Sequence, residues 1–97
     1  MASYIALLQL TDQGVRNVKE TTKRAAAASD TAAKMGVKFT ELFWTLGQYD
    51  LAIVAEAPDD ETMTAAMLKL ATVGNVKSQT LRAFRSQEME TLLKKAV

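Results

Sequence analysis

Residues Val37 to Ala57 read VKFTELFWTL, then GQYD, then LAIVAEA: two apolar arms joined by a glycine-containing turn. The arms are rich in β-branched and aromatic residues that suit a pleated surface, so the segment reads as a β-hairpin. A hairpin of this kind commits the chain to a sheet, and each flank reads as one strand plus one amphipathic helix built to sit against it. A two-residue turn at Gly47-Gln48 and a four-residue loop from Gly47 to Asp50 fit equally, and both give the same side-chain parity. Strict alternation then puts Leu42, Trp44, Leu46, Leu51, Ile53 and Ala55 on a core face. The opposite face carries Phe39, Glu41, Phe43, Thr45, Ala52, Val54 and Glu56, too apolar for plain solvent and too charged for a sealed core. That face is expected to meet something.

Before the hairpin, Tyr4 to Leu10 (YIALLQL) is a short, nearly continuous apolar run, expected as a strand in the middle of the sheet. Thr11-Asp12 supplies N-cap candidates, and Gln13 to Met35 reads as one helix ended by Gly36. Its stripe of Val15, Val18, Thr22, Ala25, Ser29 and Ala32 is small enough to let the helix approach the sheet closely. The block Ala25 to Ala28 reads as strong helix former. After the hairpin, Pro58-Asp59-Asp60-Glu61 opens a second helix with acidic residues where free amides favour them. Met63, Ala66, Met67, Leu70 and Ala71 form its buried stripe, and Gly74-Asn75 ends it. Val76 to Phe84 reads as an edge strand with Leu81 and Ala83 on one face and Thr80, Arg82 and Phe84 on the other. A last helix, Gln87 to Ala96, capped by Ser86, turns Met89, Leu92, Leu93 and Val97 inward or toward a partner.

The order β-α-β-β-α-β plus a C-terminal helix predicts an α+β, ferredoxin-like sandwich, one domain over residues 1–97. Right-handed crossovers place both main helices on one side, with the first and third strands central. The bare side is then expected to expose Phe39, Phe43, Val54 and Phe84, each worth roughly 1.5–3 kcal/mol if buried. Large apolar patches are unusual on a soluble monomer, so a homodimer or an assembly of dimers, sheet facing sheet as in a dimeric α+β barrel, is the expectation.

Composition narrows the chemistry. A chain of 97 residues buries only roughly 60–65% of its unfolded surface, which also favours oligomers. Cysteine and histidine are both absent, which removes disulfides, thiolate chemistry, imidazole metal sites and histidine triads. No phosphate-binding loop or dinucleotide glycine pattern occurs, so no cofactor is expected. A net charge of +1 from mixed basic and acidic residues gives no reason to expect nucleic acid or a membrane surface as partner. The first residues run into a strand without a secretory pattern, and no run approaches the roughly 18 apolar residues of a membrane helix. A cytoplasmic protein is the expectation.

Thr45-Leu46-Gly47-Gln48-Tyr49-Asp50-Leu51, then Glu56 to Glu61, then Gly74-Asn75-Val76 with Thr80 to Phe84, resemble the GYD domain family. The family's name comes from a Gly-x-Tyr-Asp-like stretch, here Gly47 to Asp50; Thr11 to Gly14 and Arg24 also sit where its pattern places them. The resemblance spans nearly the whole chain. It implies a small bacterial or archaeal protein of the dimeric α+β barrel type with no assigned activity.

Several residues invite a functional reading beside a structural one. Tyr49 and Asp50 form either a phenol-carboxylate pair facing a cleft or ordinary turn chemistry. Arg82 with Glu41 or Glu56 reads either as an anion-holding group between subunits or as an intersubunit salt bridge. Arg16, Lys19, Lys23 and Arg24 read either as a phosphate-binding side or, more ordinarily, as a solvated helix face with Glu20 four residues before Arg24, and Asp59 to Glu61 as a helix cap sooner than a divalent-metal site. Trp44, Met63 and Met67 read as core. The ligand-binding candidates are therefore Phe43, Thr45, Tyr49, Asp50 and Arg82, in a pocket between the sheet and a partner subunit. Three functions stay open: a small-molecule-binding barrel, a cofactor-independent monooxygenase or isomerase, and a structural or protein-interaction module.

Overall fold

The computed structural model describes residues 1–97. In chain order it has β1 (Ala2–Leu10), α1 (Asp12–Arg16), a 3-10 turn (Val18–Glu20), α2 (Thr21–Lys34), β2 (Lys38–Trp44), β3 (Leu51–Ala57), α3 (Asp60–Ala71), β4 (Val76–Ala83) and α4 (Ser86–Ala96). The sheet runs β2-β3-β1-β4 with every neighbouring pair antiparallel, the ferredoxin-like arrangement with β1 and β3 in the centre.

The core follows from alternation in the two central strands. Tyr4, Ala6 and Leu8 of β1 stand opposite Ala55, Ile53 and Leu51 of β3, and all six are buried. Above them α3 lays down Met63, Ala66, Met67 and Leu70 at helical spacing, and Ala32 of α2 joins the same cluster. Asp59 starts α3: its carboxylate accepts the Thr62 N–H at 2.8 Å, and that bond holds its carboxyl below the usual range. Gly36 and Gly74, with φ of 88° and 89°, end α2 and α3 in the left-handed region that only glycine enters without strain.

Four expectations from regular periodicity are overturned by contacts distant in sequence. The segment Gln13 to Met35 is not one helix. Thr11, Gln13 and Gly14 are bound to the α3–β4 connection: Thr11 Oγ1 donates to the Gly74 carbonyl at 2.6 Å, and Gln13 Nε2 donates to the Val73 carbonyl at 3.0 Å. That aims α1 at the start of β4, so the chain must turn at Asn17 before α2 can cross the sheet. Val15 and Val18, expected in the buried stripe, are exposed as a result, and α2 turns Ala28 and Ala32 toward the core.

In β2 the register slips between Phe39 and Glu41, leaving Thr40 as a bulge whose hydroxyl donates to the Val54 carbonyl at 3.1 Å. One extra residue reverses the parity, so Phe39 sits opposite Ala55 against the core and not on the bare face. In β4, Arg82 stands opposite Tyr4, which puts it on the helix side, and Phe84 follows it there, its ring 4.4 Å from the guanidinium. Trp44 and Leu46 also miss the core. Trp44 lies on an outer strand, 48% exposed, with its indole N–H donating to Thr21 Oγ1 at 3.0 Å, and Leu46 is fully exposed in the turn.

The side without helices carries Ile5 and Leu7 of β1, Phe43 of β2, Ala52 and Val54 of β3, and Leu81 of β4. Phe43 and Leu81 are 51% and 41% exposed. α4 does not fold back over this face. It buries none of its residues and is tethered to β4 by Arg82 and Glu88, 3.7 Å apart. Met89, Leu92 and Leu93 form one apolar stripe along it, with Met89 and Leu93 exposed.

Gly14 is the tightest joint in the molecule, because a Cβ there would lie 2.1 Å from the Asn75 carbonyl oxygen. Backbone cannot rotate aside as a side chain can. Gly14→Ala is expected to lower the unfolding free energy by about 1–3 kcal/mol, read as a reduced urea midpoint with unchanged slope.

Candidate functional site

The turn after β2 is built by its own polar groups. Thr45 N–H donates to the Asp50 carbonyl at 2.9 Å, and Thr45 Oγ1 donates to the Tyr49 carbonyl at 2.6 Å. Asp50 then joins the end of β1 from both sides of its peptide: its N–H donates to the Leu8 carbonyl, and its Oδ2 accepts the Leu10 N–H, each at 2.8 Å. The carboxylate thus stands in for the strand partner that β3 no longer supplies at Leu10. Tyr49 reaches further, its phenol donating to Gln79 Oε1 of β4 at 2.8 Å. Gln79 lies opposite Leu7, so Tyr49 crosses the end of the open face.

Arg82 is elsewhere. It stands opposite Tyr4, near the other end of β1 and on the other side of the sheet. Six residues of strand separate Tyr4 from Leu10, about 20 Å. Arg82 is also occupied: Nη1 donates to the Ser3 and Ala83 carbonyls, and the planar group lies against the rings of Tyr4 and Phe84. Its carboxylate partner is Glu88 of α4; Glu41 and Glu56 are on the opposite face. Of the five candidates, the fold therefore brings Phe43, Thr45, Tyr49 and Asp50 to the hairpin and open face, and places Arg82 apart from them.

Two features were hidden in the linear pattern. The first is a buried phenol. Tyr4, 3% exposed, donates to Asp60 Oδ1 at 2.5 Å. Burial, and then the Asp60 carboxylate, push the Tyr4 phenol up to about 12. The available signal was a hydroxyl-bearing ring in an otherwise apolar strand, which needs a polar partner once buried. The second is a cavity of about 170 Å³ between α2 and the sheet. Ala32 is fully buried against the core, whereas Ala25 and Ala28 are only half-buried, so α2 lifts from the sheet toward its N-terminus. Small side chains there do not bring the helix down; they leave a space floored by Leu8, Leu42, Leu51 and Ile53.

The GYD domain profile matches residues 4–93, which span the sheet, the hairpin turn and the glycine after α3. The chain belongs to the GYD domain family. It is 34% identical over 95 residues to the Thermus thermophilus protein named glutamine synthetase and cystathionine beta-lyase binding protein, covering 97% of this chain and 100% of that one. Among solved structures, that of TTHA0845, also from Thermus thermophilus, superposes with a TM-score of 0.59 at 20% identity, covering 89% of this chain and 96% of that one. At that identity the likeness is one of fold.

In this GYD domain the Tyr4–Asp60 pair makes a pH-dependent contribution of definite sign. An unfolded tyrosine titrates near 10.0, while the native phenol keeps its proton up to about 12. The folded state binds the extra proton between those values, so the stabilisation is complete below pH 10 and declines as pH rises through this window. Thermal melts between pH 9 and about 12 are expected to show a steeper loss for the native chain than for Tyr4→Phe.

Proposed function

We propose that this protein is a homo-oligomeric binding module: a second copy closes the open sheet face, and client proteins dock on surfaces left outside that contact. The open face carries the reading. Ile5, Leu7, Phe43, Val54 and Leu81 form a contiguous apolar surface on four neighbouring strands with no helix above it. A two-fold partner presenting the same surface removes these side chains from water without any new element. Lys38 and Glu56, at the margin of this face, stand opposite each other within one copy.

Client binding is supported by the name of the Thermus relative, which describes a protein that binds two enzymes. The polar groups that invited a catalytic reading support the same view, because Asp50, Tyr49 and Arg82 are each engaged in holding strands or helices together. A small-molecule reading of the open face retains Phe43, Thr45, Tyr49 and Asp50, and one observation favours it: the Tyr49–Gln79 pair sets polar groups beside the apolar patch. Arg82 belongs to that reading only if a partner subunit brings it around.

Light scattering is expected to give at least a dimer for the native chain at micromolar concentration. Phe43→Glu is expected to give a monomer with an unchanged circular dichroism spectrum. A native chain that stays monomeric at all concentrations rejects the proposal. For the client, glutamine synthetase from the same cell is the probe. The client surface in this proposal is the exposed apolar stripe of α4, so Met89→Asp combined with Leu93→Asp is expected to abolish its co-sedimentation while leaving the oligomer intact.

A further inference from the structure

We propose that the cavity between α2 and the sheet is a binding site for small carboxylic acids with a compact apolar body of about six to eight carbons, the carboxylate resting on Arg24. Three observations combine. The first is size: the cavity measures about 170 Å³. Apolar cavities of about 150 Å³ lined by leucine and isoleucine stay dry and admit benzene, so this one accommodates a single ring or a branched aliphatic group.

The second is lining. Leu8, Leu42, Leu51 and Ile53 form the floor and Ala25 and Ala28 the roof. The cavity opens to solvent beside the exposed Arg24 and Ala27, and its apolar walls lack dispersion contacts on the side that faces the space. An apolar ligand restores them.

The third is charge. Arg24 is the only charged residue lining the cavity, and no aspartate or glutamate accompanies it. Glu20, at the end of the 3-10 turn before α2 and the expected partner of Arg24, instead lies 3.5 Å from Lys23. Arg24 therefore has no ion pair, and the cavity offers a cation without a counter-charge. Thr21 and Thr31 add hydroxyls to the lining. A guanidinium with neighbouring donors selects a carboxylate. The missing acid also discriminates, because an amino acid would bring an ammonium close to the Arg24 charge with no carboxylate to offset it. The ligand class is thus a deaminated acid, aromatic or branched, and not the corresponding amino acid or amine.

The site is separate from the open sheet face, so it can be filled in monomer or oligomer. Phenylacetate is the natural probe, set against phenylalanine, phenethylamine and 2-phenylethanol. In an NMR titration phenylacetate is expected to shift the methyls of Ala25, Ala28, Leu42 and Leu51 saturably. It is also expected to change the fluorescence of Trp44, the only tryptophan, whose indole N–H rests on Thr21 at the cavity wall. Arg24→Gln, an exposed position, is expected to weaken phenylacetate binding roughly tenfold or more and to leave 2-phenylethanol binding unchanged. Ala28→Leu is expected to fill the space and abolish the response to both. If Ala28→Leu does not fold, the methyl shifts of the native chain still locate the site. Absence of saturable shifts at those methyls overturns the proposal. So does equal affinity for phenylacetate, phenylalanine and phenethylamine, or an Arg24→Gln variant that binds phenylacetate as tightly as the native chain.

Discussion

A four-stranded sheet has two faces, and this chain folds its main helices onto only one. α2 and α3 supply the lid over Tyr4, Ala6, Leu8, Leu51, Ile53 and Ala55, while the reverse side keeps Ile5, Leu7, Phe43, Val54 and Leu81 in contact with water. Central strands that are apolar on both sides need cover on both sides, because each exposed aliphatic or aromatic group forgoes its transfer free energy. The fourth helix could have met that need and does not. It leaves the sheet at Arg82 and runs outward with its apolar stripe unpartnered. One face of the sheet is thus sealed by the chain's own helices and the other is left open.

The polar side chains act mostly as fasteners at the ends of the sheet. Asp50 extends the ladder of β1 where β3 ends, Tyr49 straps the turn to β4, and Thr11 and Gln13 tie α1 to the loop before β4. At the opposite end Arg82 spans two carbonyls, two aromatic rings and a carboxylate, while Tyr4 buries its phenol against Asp60. Such arrangements satisfy donors and acceptors that burial would otherwise leave costly. They also explain why residue types associated with acid–base chemistry occur without converging on one cleft.

How far the candidate site was legible depends on range. The Asp50 carbonyl closes a turn with Thr45 five residues away, which the local pattern shows, whereas its carboxylate and N–H meet Leu10 and Leu8 of β1, which it does not. Arg82 reads into the same pocket because alternation in β4 gives two faces but not which of them meets the helices. That choice is made by pairing with Tyr4, 78 residues away. The bulge at Thr40 is similar. Nothing in KFTELFW signals an extra residue, and its hydroxyl finds the Val54 carbonyl only after β3 is in place.

By itself the sequence determined the element order, the α+β class, the family and the positions of the left-handed glycines. These depend on alternation, helical spacing and backbone freedom within a few residues. Tertiary structure alone decided that the first helix breaks at Asn17, that Phe39 turns inward, that Arg82 faces the helices, and that α2 tilts to open a cavity above Leu42 and Ile53. Register and helix tilt are set by contacts between segments from fourteen to almost eighty residues apart. A shift of one residue at any of them reverses a face without altering local propensity.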